Sequence, residues 1–377
     1  MHQPFEEPVF VTRPLMPDYD EYTQRLKEVW DSLWLSNNGE QHRRLEEQIK
    51  AFLHSPYLSL FNNGTTALTI AVQALRLQGE VITTPFTFPA TTHSLTWNNI
   101  TPVFCDVDDE TLTLDVDQLE SLINNRTTAI LGVHVYGVPC HVEEIQRLAD
   151  IHGLKVIYDA AHAFGTEING KPIAQFGDVS MFSFHPTKLF HTAEGGALTC
   201  NSEHTKAQFD LLKNFGIKNE VEVVMPGING KMNELSAVMG QCVLPLVEAE
   251  MAERAKIRAI YSTSFDEVDG ITICEVGENI RNSEQYMVIR IDEDVFGVSR
   301  DVVYDYLRQF NVMARKYFFP LTSDYPFYRH LASSNQPLQV AKRASTEVLC
   351  LPLFGDLDHK TVEMICELVI ESVQSVR

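Results

Sequence analysis

The chain is predicted to be an α/β protein, with a large domain on a mostly parallel central sheet and a smaller C-terminal α+β domain. Two observations carry this. From about residue 42 to 240 short, apolar, β-rich runs alternate with amphipathic stretches, the pattern of strand-helix crossover units. From about residue 250 a charged helical stretch gives way to short strand-like runs between amphipathic helices, a texture that marks a second unit. A length of 377 residues suits one large domain with a smaller one attached.

In chain order, residues 1–40 read as an N-terminal arm with one helix at Tyr19–Trp30, residues 41–248 as the large domain and residues 249–377 as the small one. Buried-strand compositions lie at Glu80–Thr84, Pro102–Asp106, Ala129–Val135, Lys155–Asp159, Val179–Phe184 and Ala197–Cys200. Helices are predicted at Arg43–Leu53, Thr65–Leu77, Val142–His152 and Asn233–Val247, with Thr65 and Asn233 as capping-type residues that open theirs. Glu248–Phe265 continues as a charged helix. Ile271–Cys274 and Tyr286–Ile291 read as antiparallel strands, Ser299–Gln309 and His359–Val376 as helices. The sequence contains neither GxGxxG nor GxxxxGK, and no internal repeat.

Composition narrows the function classes. Thirty basic against 51 acidic residues give a formal net charge of -21, which opposes binding to nucleic acid or to an anionic membrane surface. A phosphorylated ligand therefore requires local cations or backbone N–H groups. At 44% hydrophobic and without a long apolar run, the chain is expected to be soluble, with no membrane partner. Its seven cysteines are dispersed and lack a CxxC pair, which suits a reducing cytoplasm better than a disulfide framework or a zinc knuckle. The first residues, MHQPFEEPVF, do not resemble a signal peptide. His134, His141, His152, His162, His185 and His191 show no pairwise metal-ligand spacing, so no metal is expected.

The chemistry concentrates in four segments. Asn62 to Ala67 (NNGTTA) lies where an apolar run meets a helix; Gly64 lets the backbone approach a ligand, and the first helical N–H groups with the positive end of the dipole form an anion site. Phe88, in Thr84 to Phe88 (TPFTF), offers a flat ring at a strand end that can stack on a heterocycle, worth about 1 kcal/mol beyond area burial. Asp159 ends a buried strand where open α/β sheets bind ligands, and a buried carboxylate needs a partner such as a protonated pyridine nitrogen. His162 follows three residues on, within reach of a phenolic oxygen on such a ring. The fourth segment is Ser183 to Gly196 (SFHPTKLFHTAEGG). Its Lys188, between a strand end and a Gly-rich turn, suggests an amine that holds an aldehyde cofactor, pyridoxal phosphate (PLP). An ordinary lysine is about one part in 2,500 neutral at pH 7, so such an amine must be desolvated to act. Ser183 adds a hydroxyl for a phosphate.

Taken together, these segments resemble the DegT/DnrJ/EryC1/StrS sugar aminotransferases, enzymes of the aspartate aminotransferase fold type I that act on nucleotide-linked keto-sugars. The likeness covers nearly the whole chain and rests on NNGTTAL (62–68), TPFTFPAT (84–91), DAAHA (159–163), SFHPTKLFHTAEGG (183–196), KNFG (213–216) and GINGKM (227–232). It implies that Lys188 carries the cofactor, Asp159 pairs with its ring nitrogen, Phe88 stacks on the ring, and Gly64, Thr65 and Ser183 hold the phosphate. It also implies that Asn229 reaches the phosphate of a neighbouring subunit's site, which makes the protein a homodimer with shared sites. Two positions depart from the family's usual pattern: His162 stands where many relatives have glutamine, and Lys231 where they have arginine, whose forked contacts lysine cannot make.

Lysine at 188 is the transaminase residue, since dehydratase relatives carry histidine there. The turn LFHTAEGG differs from the NLGALGDGG type of members acting at C3, so amination at C4 is implied. LSNNG (35–39), LFNNGTTAL (60–68), DAAHAFG (159–165) and ARKYFFPL (314–321) are most similar to members that aminate dTDP-4-dehydro-6-deoxyglucose. L-Glutamate is then the implied donor, and O-antigen or another surface glycan the implied destination. Arg315 and Tyr317 are, by the same resemblance, candidates for contacting the nucleotide-sugar. A UDP-linked or C4-epimeric substrate, or a PLP-binding regulatory protein without turnover, stands as the alternative.

Overall fold

In the computed structural model, which describes residues 2–376, the apolar runs between residues 57 and 200 assemble into one seven-stranded sheet. Its strands are β1 Tyr57–Phe61, β2 Glu80–Thr83, β3 Thr101–Phe104, β4 Thr127–Val133, β5 Lys155–Asp159, β6 Val179–Ser183 and β7 Gly196–Cys200, in the spatial order β1-β7-β6-β5-β4-β2-β3. β7 pairs antiparallel with β1 and β6, while the other neighbours pair in parallel. Every strand but β7 therefore runs one way.

The period of two along these strands feeds two apolar layers. Val81, Leu131 and Ile157 join the cluster that contains Ala67, Leu68 and Ala71 of helix Gly64–Ala74. Their neighbours Ile82, Ile130, Val156 and Tyr158 face the opposite layer with Ile145 and Leu148 of helix Val142–His152. Both faces are covered, which is why these strands carry almost no exposed residue.

Beyond the large sheet, β8 Ile271–Ile273, β9 Met287–Ile291 and β10 Val348–Leu351 form an antiparallel sheet in the order β8-β9-β10. It packs Ile289, Ile291, Leu349 and Leu351 against Ile257, Tyr261 and Phe265 of helix Val247–Phe265, and against Ile365 and Leu368 of helix His359–Glu371. Near the start of the chain, Val9–Phe10 pairs in parallel with Val312–Met313, and helix Tyr19–Ser32 is capped by Asp18, whose carboxylate accepts the Glu21 amide at 2.9 Å.

The expected strands and helices are present, with four instructive differences. Asn233 caps its helix by accepting the Ser236 amide, as expected. Thr65 does not cap: Asn63, in extended backbone, places its side-chain oxygen 2.7 Å from the Thr66 amide, and Thr65 is already inside the first turn. Helices 234–243 and 247–265 join in one rod, Glu234–Phe265, through a 3-10 turn at Leu244–Leu246 where Pro245 has no amide hydrogen to give. By length and hydropathy alone that rod is able to cross a membrane; half of its most apolar window is buried within the fold. β4 stops at Val133, because Tyr136 takes φ 58 in a 3-10 turn and the Cys140 amide donates to His134 Nδ1 at 3.0 Å, folding the chain back. β1 and β10 are additional strands. Each is a short apolar run whose partner lies far along the chain, so local periodicity does not distinguish it from a buried helical segment.

Candidate active site

The common strand direction brings the C-terminal ends of β1, β2, β4, β5 and β6 to one edge of the sheet, where β7 begins. The loops there line a cavity of about 230 Å³ that includes Gly64, Thr65, Phe88, Asp159, His162, Ser183 and Lys188. The four segments singled out in the sequence thus converge on one space.

One corner of this cavity gathers groups that could hold an anion. Helix Gly64–Ala74 points its N-terminus at the cavity, with Thr65 exposed on the first turn and Ser183 half-buried at the end of β6. A methyl group at Gly64 would lie 3.1 Å from Met181 Sδ and from Ser183 Cβ, so a side chain there would push these cavity-lining groups aside by a few tenths of an ångström. A methyl at Gly196 would lie 2.7 Å from the Asn63 carbonyl carbon and from the Gly64 amide nitrogen. Gly196, the first residue of β7, therefore lets that strand start pressed against the turn at Asn63 and Gly64.

Asp159 is 5% exposed. One carboxylate oxygen accepts the Thr91 hydroxyl at 2.7 Å and the other the Ala161 amide at 3.1 Å. Thr91 is itself linked to Thr87 at 2.8 Å. Burial raises the Asp159 pKa, opposed by the Thr91 and Ala161 hydrogen bonds and by the Lys188 charge. A carboxylate in this state accommodates a cationic partner in the cavity. Phe88 is 57% exposed, at the N-cap of helix Pro89–Thr96, with its ring on the cavity wall rather than in the core.

His162 Nδ1 accepts the Tyr136 amide at 3.1 Å, which leaves Nε2 as the protonated nitrogen of the neutral ring. Its imidazole stacks on Phe318, 3° from parallel, with Tyr286 edge-on at 5.0 Å. Burial, with the Lys188 charge adding, lowers its pKa well below the ordinary histidine value, so the ring is a neutral donor.

Lys188 is half-buried, its Nζ 5.9 Å from the centre of the Tyr286 ring. Desolvation lowers its pKa to about 8, against a smaller raise from Asp159. Because only the deprotonated amine attacks an aldehyde, this shift brings reactivity down towards neutral pH. The rate at which the cofactor-free protein captures PLP, followed by stopped-flow absorbance, should rise with pH with a midpoint at about 8. A midpoint in the ordinary lysine range would contradict the desolvated environment.

Arg315 and Tyr317 line an adjoining cavity of about 150 Å³ with Phe10, Val11 and Thr12; Thr187, Tyr286 and Tyr317 border both spaces. The Arg315 side chain is exposed, while its backbone exchanges hydrogen bonds with Cys350 at 3.1 and 2.8 Å. Asn229 is exposed and lies outside the cavity of its own chain, accepting Lys231 Nζ at 2.9 Å. Among the described residues no three His, Cys, Asp or Glu side chains are grouped to hold a metal ion.

Several site residues had no sequence signal. Thr91 stands within a quoted motif, yet its bond to Asp159 follows from helix Pro89–Thr96, which the threonine-rich composition disguises. Tyr286, Phe318 and Tyr136 build the aromatic wall from distant segments. Glu194 lines the cavity and lies 3.9 Å from His185.

A lysine amine and a buried carboxylate brought to one cavity at the C-terminal edge of a mostly parallel sheet are the arrangement of a fold type I PLP enzyme. The sequence profile of the DegT/DnrJ/EryC1/StrS aminotransferase family matches residues 18–370, and the chain belongs to that family. It is 43% identical over 362 residues to the dTDP-4-amino-4,6-dideoxy-D-glucose transaminase of Escherichia coli, covering 96% of this chain and 97% of that one. It is 41% identical over 367 residues to the transaminase of the same name from Shigella dysenteriae, covering 97% and 99% of the two chains. Among solved structures, DesI determined in the presence of its TDP-sugar product superimposes with a TM-score of 0.94 at 32% identity, over 99% of this chain and 95% of that one. Helicobacter pylori PseC, an aminotransferase of pseudaminic acid biosynthesis, gives 0.91 at 27% identity, over 98% and 100%. The protein is a PLP-dependent sugar aminotransferase. Its residues fit that cofactor: a Cβ at Gly64 would crowd the cavity-lining Met181 and Ser183 at 3.1 Å, and the buried Asp159 carboxylate faces the same cavity, where a cation would pair with it.

Proposed function

We propose that this enzyme transfers the amino group of L-glutamate to C4 of dTDP-4-dehydro-6-deoxy-D-glucose, giving dTDP-4-amino-4,6-dideoxy-D-glucose and 2-oxoglutarate. The convergence of Lys188, Asp159 and the Gly64 turn on one cavity carries the chemistry. The 43% identity to the transaminase of that name supports the sugar.

Bound PLP supplies an electron-withdrawing ring that stabilises negative charge developing on an attached carbon. The amides of Gly64 and Thr65 with the Ser183 hydroxyl would hold its phosphate, Asp159 would keep its ring nitrogen protonated, Phe88 would stack on the ring and His162 Nε2 would donate to its phenolic oxygen. Lys188 would anchor the aldehyde and then serve as base and acid, its neutral amine taking the α-proton of glutamate in one half-reaction and its ammonium form supplying the proton that C4 of the sugar gains in the other. Arg315 and Tyr317 contact the nucleotide-sugar from the adjoining cavity. The functional unit is a cytoplasmic homodimer in which the Asn229 side chain of one copy completes the phosphate site of the other, and the product supplies O-antigen or another surface glycan.

Mass spectrometry of products from dTDP- and UDP-linked 4-keto sugars of both C4 outcomes, with glutamate as donor, tests this. The expected result is a dTDP-amino-sugar that co-elutes with the 4-amino-4,6-dideoxyglucose standard. Preferred turnover of a UDP-sugar, or the C4 epimer as product, would replace the substrate assignment. Absence of a glutamate half-reaction in the loaded protein would replace the enzymatic one.

A further inference from the structure

Between the short strand Ile280–Arg281 and β9, the chain passes behind Lys188 as the strap Asn282–Tyr286. Gln285, 2% exposed, uses both ends of its amide: Oε1 accepts the Leu189 amide at 2.8 Å, and Nε2 donates to the Thr187 carbonyl at 3.0 Å. These are the residues on either side of Lys188, whose own amide donates to His185 at 2.9 Å. One side chain thus fixes both peptide planes that flank the lysine α-carbon. Two residues earlier, Ser283 Oγ donates to the His162 carbonyl at 2.7 Å. One residue later, the Tyr286 ring packs on both His162 and Lys188.

The strap is anchored from the other side. Glu284 has φ 52, a backbone region that L-residues avoid. Its carboxylate accepts Arg258 Nε at 2.6 Å, its carbonyl accepts Arg254 Nη1 at 3.3 Å, and its amide donates to Asn282 Oδ1 at 3.0 Å. Arg258 also donates to the Tyr286 carbonyl. Arg254 and Arg258 stand one turn apart on helix Val247–Phe265, and Arg254 is fully buried and held by Glu250 at 2.6 Å.

We propose that Gln285 is a positioning residue that clamps the backbone around Lys188, and that the strap it belongs to registers Lys188 against His162 from helix Val247–Phe265. This rests on Lys188 as the reacting amine. Proton transfer between carbons demands an amine placed within a fraction of an ångström, and the Thr187–Leu189 segment, a loop between β6 and β7, has no ladder of its own to supply that placement.

Gln285→Met keeps the side-chain length and removes both hydrogen bonds. In the holoenzyme it should abolish hydrogen-exchange protection at the Leu189 amide. It should also lower kcat of the glutamate half-reaction about 10- to 100-fold, with KM for glutamate changed less than about threefold. Gln285→Glu retains the acceptor for Leu189 and loses the donor to Thr187, so Leu189 protection should survive and the fall in kcat should be smaller. Lost protection with wild-type kcat in Gln285→Met overturns the proposal, as does unchanged protection. If Gln285→Met does not fold, wild-type kcat in Gln285→Glu overturns it. Lys188→Ala measured alongside separates the two assignments, because turnover in that variant would remove the reacting amine whatever Gln285 does.

Discussion

Lys188→Ala is expected to abolish transamination, lowering kcat by at least about 10⁴-fold, the upper range for a positioned acid-base group. It should also remove the visible absorption of the lysine-bound cofactor while leaving PLP in the cavity through Gly64, Thr65, Ser183 and Asp159. The two readouts separate roles. Loss of absorption without loss of turnover would mean that another amine does the proton transfer. Stability should not suffer, because the wild-type amine is held at a depressed pKa by burial, and its removal relieves that desolvation. A thermal melt of the cofactor-free variant that falls well below wild type would instead give Lys188 a structural role.

Asp159→Asn has the second-largest expected effect. The shape is nearly conserved, and Asn still accepts the Thr91 hydroxyl with one end. The charge proposed to face the cofactor nitrogen is lost, however, and an uncompensated buried charge costs about 3–5 kcal/mol, which corresponds to roughly 10²- to 10⁴-fold in the half-reaction rate. Single-turnover kinetics with glutamate, followed in the absorption of the bound cofactor, measures it directly. A rate within threefold of wild type would sink the pairing of Asp159 with the ring nitrogen. Thr91→Val offers a graded comparison, since it removes only the hydroxyl that steadies the carboxylate.

The pattern of Lys155–Asp159 and Val179–Ser183 made the central sheet legible, because strands covered on both faces read as continuous apolar runs and their ends fall on one edge. The same rule carried Asp159, Ser183 and Lys188 into one place before any distance was known. What sequence did not disclose is the second tier that holds them. Thr91 supports Asp159 from a helix of low intrinsic propensity, and Tyr136 offers a backbone amide to His162, a contact that any residue with an N–H makes equally well. Gln285 is an ordinary glutamine in a run with no motif, and its importance lies in a separation of nearly a hundred residues from Lys188. The Thr65 cap was misplaced by two residues because Asn and Thr have similar capping preferences and only the extended backbone of Asn63 decides between them.

The stitch between Val9–Phe10 and Val312–Met313 reaches further than its two-residue length. Val11 is 5% exposed and receives the Leu353 amide on its carbonyl at 2.9 Å, while the strand it adjoins leads directly to Arg315 and Tyr317. Trimming the first dozen residues by a protease, or crowding them with a bulky fusion, is therefore expected to reshape the wall beside Arg315 rather than merely shorten a tail. On the proposed contact of Arg315 and Tyr317 with the nucleotide-sugar, preparations that differ only at that end should differ in sugar-nucleotide affinity.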